Sequence, residues 1–373
     1  MRYLKSLLFL MYLAIFLFAN SIYAQDPIID SLTKLPYKTL STKVYENIKD
    51  SIQTFSYAKA YLIKGKKAND TLRISNGYQF CADLLGDSIG LKYADSLIKF
   101  VGNKNLHQYH LAGYFIKGNI YYDLRNFQKA SDNYLIAKKI NDSENVDQDL
   151  NTDIEYRIGL IKSRLGHYEE ALTIFKKTAA RYKELQEEEY YISSIFAIGD
   201  TYLNLRNIDS SSYYNNYGYE RSLANNDKEY LYSFELNQGA DLFYKKDYEG
   251  SLSKFLKALP EIIAFDDKPN IAMGYYYIGR NYIALNKNEK GIDNLLKVDS
   301  MYVNTDDLHP ELRDAYEILI NEYRSKREFK KELKYVNRLL EIDQLLSDNY
   351  KYLSQKLKKV IENILLYLSL IHI

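Results

Sequence analysis

A chain of 373 residues with 27% charged residues and a formal net charge of +1 carries no electrostatic footprint for nucleic acid, which needs a clustered excess of Lys and Arg. Its one cysteine, Cys81, excludes an intrachain disulfide or a zinc site built of cysteines, and reads as a small apolar core residue. Tyr is abundant at 39, Trp is absent, and there are only 16 Gly and 5 Pro, a balance suited to long helices packed through amphipathic rings.

At the N-terminus, Arg2 and Lys5 precede the apolar run SLLFLMYLAIFLF (Ser6–Phe18), and NSIYA closes on Ala24, a small residue suited to cleavage before Gln25. The run is shorter than the ~20 residues of a membrane span. We therefore expect residues 1–24 to be a secretory signal peptide, with an uncleaved anchor as the alternative. No cysteine follows to carry a lipid, so the mature chain is expected to be exported, with residues 25–36 as a linker.

Residues 37–342 repeat. Gly77, Gly118, Gly159, Gly199, Gly239 and Gly279 recur at intervals of 41, 41, 40, 40 and 40, and Ile320 holds the same place 41 residues further on. Sixteen residues after the glycine comes a large side chain: Tyr93, Tyr134, Phe175, Phe255 and Leu295, while Tyr214 in the Gly199 unit arrives one residue early. In YFIKGNIYYDLRNFQKASDNYLIAKK (Tyr114–Lys139), Tyr114, Gly118 and Tyr121 share one helical face; after the turn, Ala130, Tyr134 and Ala137 share another. Glycine inside a helix costs about 1 kcal/mol relative to Ala, so its return at one register implies that two antiparallel helices approach closely there. Pro269 and Pro310 fall just before first helices and Pro260 near the end of a second helix, where none breaks an element.

The order aromatic, small, Tyr, turn, Ala, aromatic, Ala resembles the tetratricopeptide repeat, in its longer-helix form of about 40 residues rather than 34. The resemblance implies an all-α, right-handed superhelical solenoid of antiparallel helix pairs. Two units depart from the pattern: the Gly199 unit has Ser where Ala is usual (DSSSYYNN), and the Ile320 unit lacks both small residues, as suits a terminal unit.

Motifs of chemistry are missing: there is no G-x-G-x-x-G, P-loop, H-E-x-x-H or G-x-S-x-G. His107 and His110 can share a helical face but lack a third ligand nearby, Glu187, Glu188 and Glu189 read as a charged helix start, and Asp266 and Asp267 as a turn. No catalytic, cofactor or metal site is expected. Family resemblance instead implies a concave groove lined by the first helix of each unit. It falls on Phe115, Asn119, Tyr122 and Asp123; on Tyr156, Ser163 and Arg164; and on Phe196, Asp200 and Asn204. It continues through Phe243 and Tyr244 to Tyr276 and Arg280. Aromatic rings beside Asn, Asp and Arg suit a peptide or protein segment. Arg164 and Arg280 stand out, because a guanidinium is costly to bury unpaired, although neighbouring carboxylates would serve as well.

YAKAYLIKGKKANDTLRISNGY (Tyr57–Tyr78), LHPELRDAYEILINEY (Leu308–Tyr323) and DNYKYLSQKLKK (Asp348–Lys359) resemble, as a set, the exported sensor half of flavobacterial AraC-type transcription regulators. In that family a helical linker, one transmembrane helix and a cytoplasmic helix-turn-helix domain follow the repeats. The resemblance implies a periplasmic sensor, attached to the membrane by a helix beyond this sequence, that binds no DNA itself and signals through ligand binding or self-association. Repeat-containing histidine kinases have a similar first half, and a free periplasmic scaffold is a third option. Residues 343–367 read as a C-terminal helix or linker. The closing LSLIHI (Leu368–Ile373) is what CTG TCT CTT ATA CAC ATC encodes, the end of a transposon used to prepare sequencing libraries. We expect those six residues to be adapter read-through and the sequence to be truncated.

Overall fold

The computed structural model describes residues 27–46, 51–86, 88–305 and 309–347, which form two compact units divided between Leu124 and Arg125. Every regular element among them is helical. Signal peptide, linker start, the Asp348–Lys359 stretch and the closing hexapeptide lie outside the described residues.

The first unit holds α1 (Pro27–Leu32), α2 (Tyr37–Glu46), α3 (Ser51–Lys67), α4 (Thr71–Asp83), α5 (Ser88–Val101) and α6 (His107–Asp123). Within this unit α3, α4 and α5 each pack on the helix that follows. Cys81 is fully buried among Val44, Ala58, Leu62 and Ile74, and burial pushes its thiol up to about 12, which makes it inert.

In the second unit come α7 (Phe127–Glu144), α8 (Gln148–Arg164), α9 (Tyr168–Glu184), α10 (Glu188–Asn204) and α11 (Ile208–Ala224). They are followed by α12 (Lys228–Tyr244), α13 (Tyr248–Ala264), α14 (Lys268–Ala284) and α15 (Asn288–Thr305). A 3-10 turn at Pro310–Leu312 leads into α16 (Arg313–Ser325), and α17 is described over 329–347. Pro260 sits inside α13, which continues to Ala264, and Pro269 lies in the first turn of α14, where its missing N–H has no helical partner to lose.

The helices from α8 to α14 are all 17 residues long. Left-handed backbone recurs at Gly166, Gln186, Arg206, Asn226, Lys246, Asp266 and Asn286, so the 40-residue repeat is two equal 20-residue halves. Four of these turns do two jobs. The residue after the left-handed one returns its N–H to a carbonyl five back, as Asn207 does to Tyr202 (3.0 Å) and Asp247 to Leu242 (3.0 Å). That same residue then caps the next helix: the side chains of Asn207, Asp227, Asp247 and Asp267 accept from the amides of Ser210, Tyr230, Gly250 and Asn270. Asp266 and Asp267 thus form the expected turn, and Glu188 opens α10 paired with Arg221 (2.6 Å).

Glycine-plus-sixteen is a physical contact in this unit. A Cβ on Gly159 would lie 2.7 Å from Phe175, on Gly239 2.8 Å from Phe255, and on Gly279 2.8 Å from Leu295. In the Gly199 unit the sixteenth residue, Asn215, fills the slot at 2.4 Å; Tyr214 is half-buried beside it and the register is unbroken. Asn215 is fully buried and donates to Asp241 (2.9 Å), while Ser211 donates to the Gly199 carbonyl (3.1 Å). The serine departure in DSSSYYNN is thus one side of a buried polar network. Gly77, by contrast, faces backward: its Cβ would sit 2.6 Å from the Leu62 Cα on α3.

First helices of successive repeats, α8 to α10, α10 to α12 and α12 to α14, touch one another more closely than the second helices do. In a curved stack the layer with the closer spacing is the inner one, so α8, α10, α12 and α14 form the inner layer of this unit. No described helix is long and apolar enough to cross a membrane.

Candidate functional site

The expected groove residues fall into three groups. Phe115, Asn119 and Tyr122 are half-buried on α6 of the first unit, with Asp123 exposed at its end. In the second unit, Tyr156 and Phe196 serve helix packing. Tyr156 sets its ring against Phe175 (5.6 Å) and donates to the Ser193 carbonyl, while Phe196 meets Phe234 edge-on (5.4 Å). Arg164 lies 4.4 Å over the ring of buried Phe127, so its charge rests on a π face.

Asp200, Asn204, Tyr244, Tyr276 and Arg280 come from the far end of the inner layer, where Glu311 joins them. The hydroxyls of Tyr244 and Tyr277 each donate to Glu311 Oε1 at 2.7 Å. A phenol has one proton, so with both committed to the carboxylate the 3.3 Å between these hydroxyls is a contact without a proton of its own. Arg206 completes the cradle: its guanidinium lies 4.1 Å over the Tyr244 ring, with Nη2 3.6 Å from Glu311 Oε1. Only 9% of the Glu311 side chain is exposed, against 51% for Arg206, so the cradle is dry on the carboxylate side and open on the cation side. Burial, then the charge of Glu311, raises both phenols above their ordinary range, which keeps them neutral donors.

Beside this cradle, Arg280 donates to the Tyr276 hydroxyl (2.7 Å) and lies 4.6 Å over Phe243. Phe243 in turn has its ring 5.5 Å from Tyr244 and 5.4 Å from Tyr277. Among the described residues Arg280 has no carboxylate within 4.0 Å. Asp200 keeps some solvent contact, yet protein crowds it closely enough that burial, with Glu311 second, pushes its carboxyl up to about 7. Asn204 donates to its Oδ2 (3.2 Å).

Arg206, Tyr277 and Glu311 were missing from the sequence reading. The groove offsets count along first helices, whereas Arg206 occupies a left-handed turn position and Glu311 a 3-10 turn beyond α15. A cation at 206 is no signal by itself, since Lys246 and Arg327 hold equivalent left-handed turn positions. Among the described residues, no cluster of three or more His, Cys, Asp or Glu is arranged to hold a metal ion.

No protein-family model matches the sequence, and no curated protein does. The structure is similar to that of a Rap protein complexed with competence and sporulation factor: TM-score 0.57 and 10% identity, over 84% of this chain and 99% of that one. It is similar to NprR in complex with its cognate peptide NprX, with TM-score 0.56 and 14% identity over 90% and 96% of the two chains. A third likeness is to the Rap conjugation gene regulator of plasmid pLS20 in complex with the Phr* peptide, at TM-score 0.51 and 14% identity over 90% and 97%. At such identities the likeness is one of fold. The chain is an all-α, tetratricopeptide-like solenoid of antiparallel helix pairs.

Proposed function

We propose that this chain is the exported, periplasmic sensory portion of a membrane-bound AraC-type regulator, and that the inner layer of its second unit takes a peptide or protein segment. The observation that carries the binding reading is Arg280: a half-buried guanidinium on an aromatic wall, without a carboxylate partner among the described residues. A guanidinium held in this way favours an anionic group. NprR and the pLS20 regulator, whose folds are similar, were each solved with a peptide bound, which supports a peptide as the ligand class. Ligand binding would shift the packing of successive repeats or self-association, and a membrane helix beyond this sequence would pass the change inward.

Two experiments test the reading. Selecting a peptide library on the chain should return acidic sequences whose affinity falls about ten-fold in Arg280→Ala, equivalent to about 1.4 kcal/mol. Recovery only of sequences indifferent to Arg280 would sink the site assignment. Reading the native locus downstream of residue 367 tests the output. An in-frame helix-turn-helix domain supports the regulator; a dimerisation and ATP-binding domain would make it a histidine kinase, and an early stop a free scaffold.

A further inference from the structure

The Glu311 carboxylate is held by groups that belong to other repeats. Tyr244 ends α12, Tyr277 lies on α14, and Arg206 lies in the turn after α10, so three successive repeats converge on one oxygen. The occupant itself comes from a three-residue turn, Pro310–Leu312, anchored by buried Leu312. Two charge-assisted hydrogen bonds and a guanidinium directed at one oxygen are the chemistry of carboxylate recognition. A buried tyrosine hydroxyl needs an acceptor, but one neutral oxygen satisfies it; two phenols and a guanidinium on a single carboxylate oxygen go beyond that need.

We propose that Arg206, Tyr244 and Tyr277 form a carboxylate-binding seat for an acidic peptide, which Glu311 occupies as a built-in competitor until a ligand carboxylate displaces it. This rests on the peptide-binding reading above and adds to it a ligand group and a regulatory step. An incoming carboxylate replaces Glu311 like for like, so no donor in the seat is stranded and the exchange costs little in hydrogen bonding. Arg280, one aromatic ring away on Phe243, then meets a second acidic group of the same ligand. Because the occupant is tethered, it competes at an effective concentration on the order of millimolar. Only ligands that exceed this local competition register, which sets a threshold on the signal.

The test uses the full chain and a fluorescent synthetic peptide of its own sequence, HPELRD (residues 309–314), added in trans. Glu311→Ala vacates the seat and should bind this probe at least about ten-fold more tightly than the unsubstituted chain, in the millimolar range. The same peptide with Gln in the glutamate position should bind about five-fold more weakly or worse, and adding Tyr277→Phe to Glu311→Ala should weaken binding further. If Glu311→Ala loses its helical circular dichroism, Glu311→Gln serves in its place. Equal binding by variant and unsubstituted chain, indifference to the Gln exchange, or no binding up to about 5 mM would each overturn the proposal. The probe asks only whether the seat takes a carboxylate. A positive result with an empty library selection would therefore remove the sensor reading and leave the seat intact.

Discussion

Tyr244 donates its hydroxyl proton to Glu311 at 2.7 Å, across 67 residues of sequence. That bond links the end of α12 to the turn after α15 and joins two repeats that are not neighbours in the array. A double-mutant cycle between Tyr244→Phe and Glu311→Gln should give a coupling of about 1.5–3 kcal/mol, as for other hydrogen bonds to a charged group. Native-state hydrogen exchange in α12 and α16 reads it, since both helices should lose protection together. Additive effects would show that the contact is not coupled to the fold.

Asp200 predicts a pH dependence. Its carboxyl is raised to about 7, by burial first and by Glu311 second, whereas in the unfolded chain it titrates near the ordinary value of about 4. Between these values the folded state holds a proton that the unfolded state has released, so stability falls as pH rises from about 4 to about 7 and is then flat. The ceiling is about 4 kcal/mol, reduced by the solvent that reaches part of the side chain. Asp200→Asn should flatten this part of the stability–pH curve; an unchanged slope would remove Asp200 as its source.

Gly218 is the tightest of the inter-helix glycines. A Cβ there would sit 2.0 Å from Cζ of Phe234, a fully buried ring, whereas on Gly239 the nearest atom is 2.8 Å away on Phe255. Gly218→Ala should therefore cost more than Gly239→Ala, about 3 kcal/mol against 1–2. Phe234→Leu should recover part of the loss from Gly218→Ala while being destabilising alone. Urea unfolding of the four proteins provides the comparison.

Asn215 and Asp241 form a buried pair, also touched by Asn237 at 3.4 Å from Asn215 Oδ1. Removing Asn215 takes a buried hydrogen bond from Asp241, which still has the hydroxyls of Ser211 and Ser212 beside it, so Asn215→Leu alone should cost about 1–3 kcal/mol. Combined with Asp241→Leu the loss should be much smaller than the sum of the two single changes. Strict additivity in thermal melts would show that the two side chains do not act as a unit.

The helix pairs were legible in the sequence because glycine recurs at one register, and a large side chain follows it at a fixed distance in most units. Asn215 was overlooked because a polar residue in an aromatic slot looks like a slip of register until its partner Asp241 is seen 26 residues later. Gly77 has its nearest neighbour, Leu62, behind it in the chain: small residues report close approach, but not its direction. Of the groove, Tyr244, Tyr276 and Arg280 were placed by their helical offsets and do lie together. Tyr156 and Phe196 satisfy the same offsets and stand half-buried against rings of neighbouring helices, since an offset fixes direction on a helix but not what the next helix brings. Arg206 and Glu311 sit on turns, where helical periodicity says nothing.

The equal half-repeats carry a consequence for how such a chain can change length. Each helix with its turn occupies 20 residues, and α8 to α14 share one helix length and one kind of junction. Inserting or deleting a single 20-residue block would preserve every local junction while exchanging inner for outer at each helix downstream. With the block placed between α14 and Pro310, Glu311 would then lie on the other layer from Tyr244 and Tyr277. Only even numbers of blocks keep the layers in phase, so the array is quantised in steps of 40 residues and the seat carries its parity.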